Sequence, residues 1–184
     1  RRALPRGGQA ILGAPPMRVF VAGPGRCGTV TFAKACKHVT NYTAAHERQR
    51  GLNPPWTTPD GHIEVDPRLT WHARSLVSEY PESLWVILDR DRDRTALSFA
   101  RRATTMTAWR RLSTYDAPNA VLGAMHYVEF IYDYLDMAIP KDRRLWLTTP
   151  VSESEARMFW DRIGAEGDFG KFAAALGQVH NASR

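Results

Sequence analysis

The sequence predicts an α/β fold, a three-layer sandwich with helices on both faces of a central parallel sheet. Three observations carry this. Residues 17–23 (MRVFVAG) and 84–88 (LWVIL) are almost wholly apolar and not alternating, as in strands buried on both faces. Segments with apolar residues at helical spacing separate the strand-like runs. The 184 residues are 43% hydrophobic, enough for one domain with a sizeable core.

The elements follow in order. Residues 1–16 are basic and broken by Pro5, Gly7, Gly8, Gly13, Pro15 and Pro16, the composition of a flexible arm, so the folded domain is expected over 17–184. After the first strand, Thr29, Phe32, Ala33 and Cys36 fall on one face of a helix spanning 28–37. A weaker strand is expected over 39–45, and a loop with Pro54, Pro55 and Pro59 over 51–60. Ile63-Glu64-Val65 is a brief strand, and Asp66-Pro67 supplies an N-cap and a first-turn proline. Leu69, Ala73, Leu76, Val77 and Tyr80 continue that helix until Pro81. Beyond the strand at 84–88, residues 92–112 predict a helix with an Arg-rich face. Pro118 opens another, striped by Val121, Met125, Val128, Tyr132 and Leu135 as core and closed by Pro140. Leu145-Trp146-Leu147 is the last strand. Ser152 with Glu155 forms a capping box for a helix carrying Ala156, Phe159, Trp160 and Ile163 and stopped by Gly164, and a short helix covers 169–176.

Composition narrows the function. Six Trp, six Tyr and seven Phe exclude disorder of the whole chain. No run of about 18 apolar residues is present, so no membrane-spanning helix is expected. The first residue is Arg1, as expected of a fragment or a processed product. Cys27 and Cys36, nine apart across a predicted helix, are expected to be too distant to bridge, which favours a reducing compartment or an indifferent one. The sequons at Asn41 and Asn181 read as chance. A net charge of +6 calls for an anionic partner: a nucleotide, a sulfated or phosphorylated small molecule, an acidic glycan or nucleic acid.

In parallel sheets ligands bind at the carboxyl ends of the strands, which directs attention to two segments. The first is Gly23-Pro24-Gly25-Arg26-Cys27-Gly28-Thr29-Val30-Thr31, whose glycines let backbone amides turn toward an anion at the start of a helix. Gly23, Gly25 and Gly28, with Glu47 further on, match the dinucleotide fingerprint, which leaves an NAD(P)-dependent oxidoreductase as one alternative. Gly23 and Gly28 also match half of the Walker pattern, but Thr29 and Val30 replace its Lys and its Mg²⁺-holding hydroxyl. A cation at Arg26 without that hydroxyl suits an anion transferred without a metal, such as a sulfuryl group, which protein donors can stabilise. The second segment, Asp89 to Ser98, alternates acids and arginines just past a buried strand. Arg90 can fork two hydrogen bonds to a phosphate there, and Ser98 can add another.

Together these segments resemble the sulfotransferases that use 3′-phosphoadenosine 5′-phosphosulfate (PAPS). Gly25-Arg26-Cys27-Gly28-Thr29 is similar to their 5′-phosphosulfate loop, whose pattern is Pro, Lys or Arg, Ser, Gly, Thr, Thr. Arg90 and Ser98 resemble the pair that binds the 3′-phosphate. The likeness covers roughly residues 17–102. It implies a P-loop NTPase-like sulfotransferase fold, with PAPS as co-substrate, no metal, and transfer to an acceptor hydroxyl on a small molecule or carbohydrate. By the same resemblance Arg26 stabilises the leaving nucleotide, while Gly25, Cys27, Gly28, Thr29, Val30 and Thr31 wrap the 5′-phosphate. Gly25 for Pro, Cys27 for Ser and Val30 for Thr depart from the pattern, and the last two remove hydroxyls. The C-terminal Arg-Lys-Gly segment of many cytosolic members has no match, leaving Arg101 or Arg102 as a substitute.

The attacking hydroxyl must lose a proton to a nearby His or Glu. His46-Glu47 ends the second strand beside the loop. Bacterial, carbohydrate and tyrosyl-protein members of the family place a catalytic Glu there, so Glu47 is the expected base, with His46 second and His62 and His72 behind them. Trp56 suits a lid, whereas Trp71 and Trp109 are expected in the core. No cluster has metal-ligand spacing. A cytoplasmic location is expected, or a Golgi lumen if an anchor has been removed, with no nucleic-acid partner. The remaining alternative is a non-catalytic anion-binding module.

Overall fold

The computed structural model describes residues 17–48, 57–101 and 119–178. Five strands, β1 (Val19–Ala22), β2 (Thr43–His46), β3 (His62–Val65), β4 (Leu84–Asp89) and β5 (Arg144–Thr148), form one sheet in the order β2-β3-β1-β4-β5. Every neighbouring pair is parallel. Six α-helices are described: α1 (Thr29–Ala35), α2 (Ala73–Glu79), α3 (Arg92–Ala100), α4 (Ala120–Ala138), α5 (Glu153–Arg162) and α6 (Phe169–Leu176).

The unbroken apolar runs explain the layers. Side chains alternate across a strand, so a strand covered on both faces needs apolar residues at every position. On β1, Val19 and Val21 pack with Phe32 of α1, Phe159 of α5 and Phe172 of α6. Phe20 and Ala22 face the opposite core, with Leu76 of α2, Phe99 of α3 and Val128 and Ile131 of α4. Phe32, Phe159 and Phe172 form a mutual aromatic cluster, and each such burial contributes about 1.5–3 kcal/mol. An α/β sandwich with helices on both faces of a parallel sheet is therefore what the chain forms.

Several elements depart from expectation. The strand expected over 39–45 starts only at Thr43, because residues 39–42 are held by the turn after α5 instead. Val39 bridges Gly167 antiparallel, and Tyr42 Oη donates to the Ile163 carbonyl at 2.9 Å. Asn41 donates from Nδ2 to Gly164 O and accepts at Oδ1 from Glu166 N–H, so its amide is a structural staple in that turn. The helix expected after Asp66 begins as a 3-10 helix, Pro67–His72, capped by Asp66. Its tighter winding turns Trp71 outward, 39% exposed, where it stacks on Phe130, so the core placement expected for Trp71 does not hold. Val121, in the first turn of α4, is likewise 38% exposed, whereas Val128, Tyr132 and Leu135 are buried as expected. Asn119 caps α4 by accepting from Leu122 N–H. The capping box of Ser152 and Glu155 forms as expected. Its hydrogen bonds outweigh partial burial and hold the Glu155 carboxyl below its usual range. Cys27 and Cys36 are free and buried. The arm at 1–16, Trp56, Arg102, Trp109, Pro118 and Asn181 lie outside the described residues. Among the described residues, no helix is long and apolar enough to cross a membrane.

Candidate functional site

After β1 the chain turns to α1 on one face of the sheet, and after the adjacent β4 it turns to α3 on the other. Divergence of this kind opens a crevice at the strand ends. A cavity of about 480 Å³ occupies it, lined by the loop after β1, by α3 and by Thr149–Val151 after β5.

Glycine makes the loop possible. Gly25 (φ +83°) and Arg26 (φ 54°) follow one another in the left-handed region, and Gly28 (φ +102°) is a third such position. Proline is locked near φ −65° and cannot occupy position 25 in this loop. A Cβ at Gly25 would also stand 3.2 Å from Phe99 Cζ, and one at Gly28 would stand 3.3 Å from Thr149 Cγ2.

Arg26, Cys27, Gly28, Thr29, Val30, Thr31, Arg90 and Ser98 all line the cavity. Gly25 does not; it packs behind the loop against Phe99 and Pro67. The two segments are joined directly. Arg90 Nη1 donates to the Arg26 carbonyl at 2.7 Å, and Arg26 Nε donates to Ser98 Oγ at 3.0 Å. Burial pushes the Cys27 thiol up to about 12, so it is protonated at neutral pH and supplies no nucleophile.

Sequence reasoning missed three contributors, Arg94, Tyr127 and Tyr132. Arg94 lines the cavity on the exposed face of α3, one helical turn before Ser98, and Arg101, the substitute phosphate contact expected from the sequence, lines it as the C-cap residue of α3. Neither has a carboxylate partner among the described residues. Their signal was the spacing 94, 98, 101. Tyr127 and Tyr132 of α4 fasten both loops to the scaffold. Tyr127 Oη donates to Pro24 O at 3.1 Å. Tyr132 Oη donates to Leu88 O and accepts from Arg90 N–H, each at 3.1 Å. Burial raises both phenols, so they remain neutral donors. Tyr132 belongs to the helical stripe that reads as core packing and Tyr127 does not, and nothing in the pattern reports either hydroxyl.

The candidate bases sit on the β2 side of the loop. His46 Nε2 lies 3.2 Å from Thr29 Oγ1 and 3.9 Å from Glu47 Oε1. Neither residue lines the cavity. Glu47 is half-exposed and left-handed at φ 49°, a conformation costing about 1–3 kcal/mol for a non-glycine residue, of a kind that clusters at functional sites. His62 is buried against Thr43 and Glu64 and does not reach the cavity, and His72 does not line it either. Among the described residues, no group of three or more His, Cys, Asp or Glu is arranged to hold a metal ion.

The strand order bears on the dinucleotide alternative. In the dinucleotide-binding order 3-2-1-4-5 the second strand lies beside the first. Here β3 separates β2 from β1, which carries Glu47 one strand away from the loop strand. No protein-family model matches the chain, and no curated protein matches it.

Proposed function

We propose that the chain is a PAPS-dependent sulfotransferase of P-loop-like fold that transfers a sulfuryl group to an acceptor hydroxyl of a small molecule or carbohydrate. One observation carries this reading. The Gly-rich loop after β1 and the Arg-rich segment after β4, with Arg26 and Arg90 64 residues apart, meet in one cavity, hydrogen-bonded to each other through Arg90, Arg26 and Ser98. The cavity has the volume of a nucleotide-sized pocket. Among the described residues, Arg26, Arg90, Arg94 and Arg101 line it, against one acid, Asp91, whose carboxylate caps the backbone of α3.

Each residue then has a task. The amides of residues 27–31 hold the 5′-phosphate end of the co-substrate. The Arg26 guanidinium neutralises the oxygen that gains charge as the nucleotide leaves, stabilisation a preorganised donor supplies without a metal. Arg90 and Ser98 hold the ribose phosphate, with Arg94 and Arg101 adding positive potential. Glu47 accepts the acceptor proton. His46, between Thr29 and Glu47, is the second candidate for that role.

A thermal-shift comparison of adenosine 3′,5′-bisphosphate, ATP and NADH tests the reading. The bisphosphate product of PAPS should stabilise the protein most, by about 2.7 kcal/mol at 100 times its dissociation constant. Stabilisation by NADH alone would transfer the loop to oxidoreductase chemistry. Binding of polyanions with no saturable nucleotide response would make the chain a non-catalytic module.

A further inference from the structure

We infer that Glu64, a fully buried carboxylate on β3, is the positioning residue that sets Glu47 in its left-handed conformation; this rests on the reading of Glu47 as the proton acceptor. Glu64 is opposite Phe20 on β1 and Ala45 on β2, at a sheet position where an apolar side chain would satisfy the fold. A carboxylate taken out of water costs several kcal/mol unless it is paired and hydrogen-bonded, so packing alone does not call for one here.

Its partners show what it holds. Glu64 Oε1 accepts from the backbone N–H of Arg48 at 3.3 Å, and Oε2 accepts from Arg48 Nε at 3.2 Å. The N–H of Glu47 itself donates to the Val65 carbonyl at 3.1 Å. β3 therefore clamps the amide before and the amide after the Glu47 Cα, and the kink at φ 49° is fixed from both sides. His62 completes the arrangement. Its Nδ1 lies 2.7 Å from Thr43 Oγ1 and its Nε2 lies 3.3 Å from Glu64 Oε2. His62 thereby ties the buried Glu64 carboxylate to Thr43 on β2. Arg48 Nη2 also donates to Thr57 O at 3.2 Å, anchoring the guanidinium from outside. Without the clamp, Glu47 relaxes to an ordinary conformation and its carboxylate leaves the place it must occupy.

The test uses PAPS hydrolysis by the full chain, with water standing in for the acceptor. Water oxygen bonds to sulfur, the bond from sulfur to the 5′-phosphate oxygen breaks, and Glu47 takes the water proton and passes it to solvent, giving sulfate and adenosine 3′,5′-bisphosphate. Glu64→Gln should lower kcat about tenfold or more, as small misplacements of a reacting group do. KM and bisphosphate affinity should stay within about twofold, and Glu47→Gln/Glu64→Gln should be no slower than Glu47→Gln. Arg48→Met, at a partly exposed side chain, should lower kcat in the same direction and decides the matter if Glu64→Gln does not fold. Loss of turnover in Glu47→Gln but not in Glu64→Gln or Arg48→Met overturns the positioning role and leaves the base intact. Wild-type turnover in Glu47→Gln overturns the base and the positioning role together. Parallel loss of bisphosphate affinity in Glu64→Gln marks a structural role and also overturns the inference.

Discussion

The two sides of the loop after β1 treat positive charge in opposite ways. Toward α3, Arg90, Arg94 and Arg101 line a cavity and have no carboxylate partner among the described residues. Toward β2 the arginines are neutralised: Arg48 pairs with buried Glu64, and Arg68 forks onto buried Asp66, with Nη2 at 2.6 Å from Oδ2. An uncompensated cluster attracts an anion from outside. A compensated cluster has spent its charge on holding backbone in place. The first pattern suits a multiply charged nucleotide, and the second suits a region where geometry matters more than attraction.

The largest expected effect breaks the cavity side. Arg26→Ala should lower sulfuryl transfer by about 10²–10³-fold, the usual cost of removing a donor aimed at developing charge. Circular dichroism should show the fold unchanged. Full activity in that variant would remove Arg26 from the chemistry. Gly28→Ala should do less. A Cβ there would press on Thr149 at 3.3 Å in a backbone conformation that disfavours side chains, so the loop should lose nucleotide affinity, readable by calorimetry, and the melting temperature should fall by a few degrees.

Much of this contrast was legible in the chain. The Gly-rich loop and the Asp89–Ser98 segment pointed to the cavity side, because both follow buried parallel strands, whose carboxyl ends border the crevice. The apolar runs of β1 and β4 announced the parallel sheet. The β2 side was legible only at His46-Glu47. Glu64 looks like one polar position in a three-residue strand, and its contact with Arg48 depends on the pairing of β2 with β3, which local pattern does not encode. The 3-10 start at Pro67 escaped for a similar reason: Leu69, Ala73 and Leu76 suit an α-helix, and only the exposure of Trp71 reveals the tighter winding.

A smaller effect follows from the buried thiols. Burial raises Cys27 from 9.0 to about 12, and burial raises Cys36 as well. The protonated form is favoured in the folded chain, so the stability tied to it is complete below pH 9.0 and declines as pH rises from there toward about 12. Melting temperatures of wild type and Cys27→Ala should therefore converge as the pH is raised through that window. A constant gap would show that the thiol does not contribute in this way.

In the proposed function one cleft grips a nucleotide at two anionic groups, with Arg90 on the second. Calorimetric titration of wild type and Arg90→Ala with adenosine 3′,5′-bisphosphate and with adenosine 5′-phosphate tests it most directly. A charged hydrogen bond is worth about 1.5–3 kcal/mol, so wild type should prefer the bisphosphate by at least about tenfold, and Arg90→Ala should lose most of that preference while binding the monophosphate as before. Equal affinity of the wild type for both nucleotides, or an undiminished preference in Arg90→Ala, would contradict it.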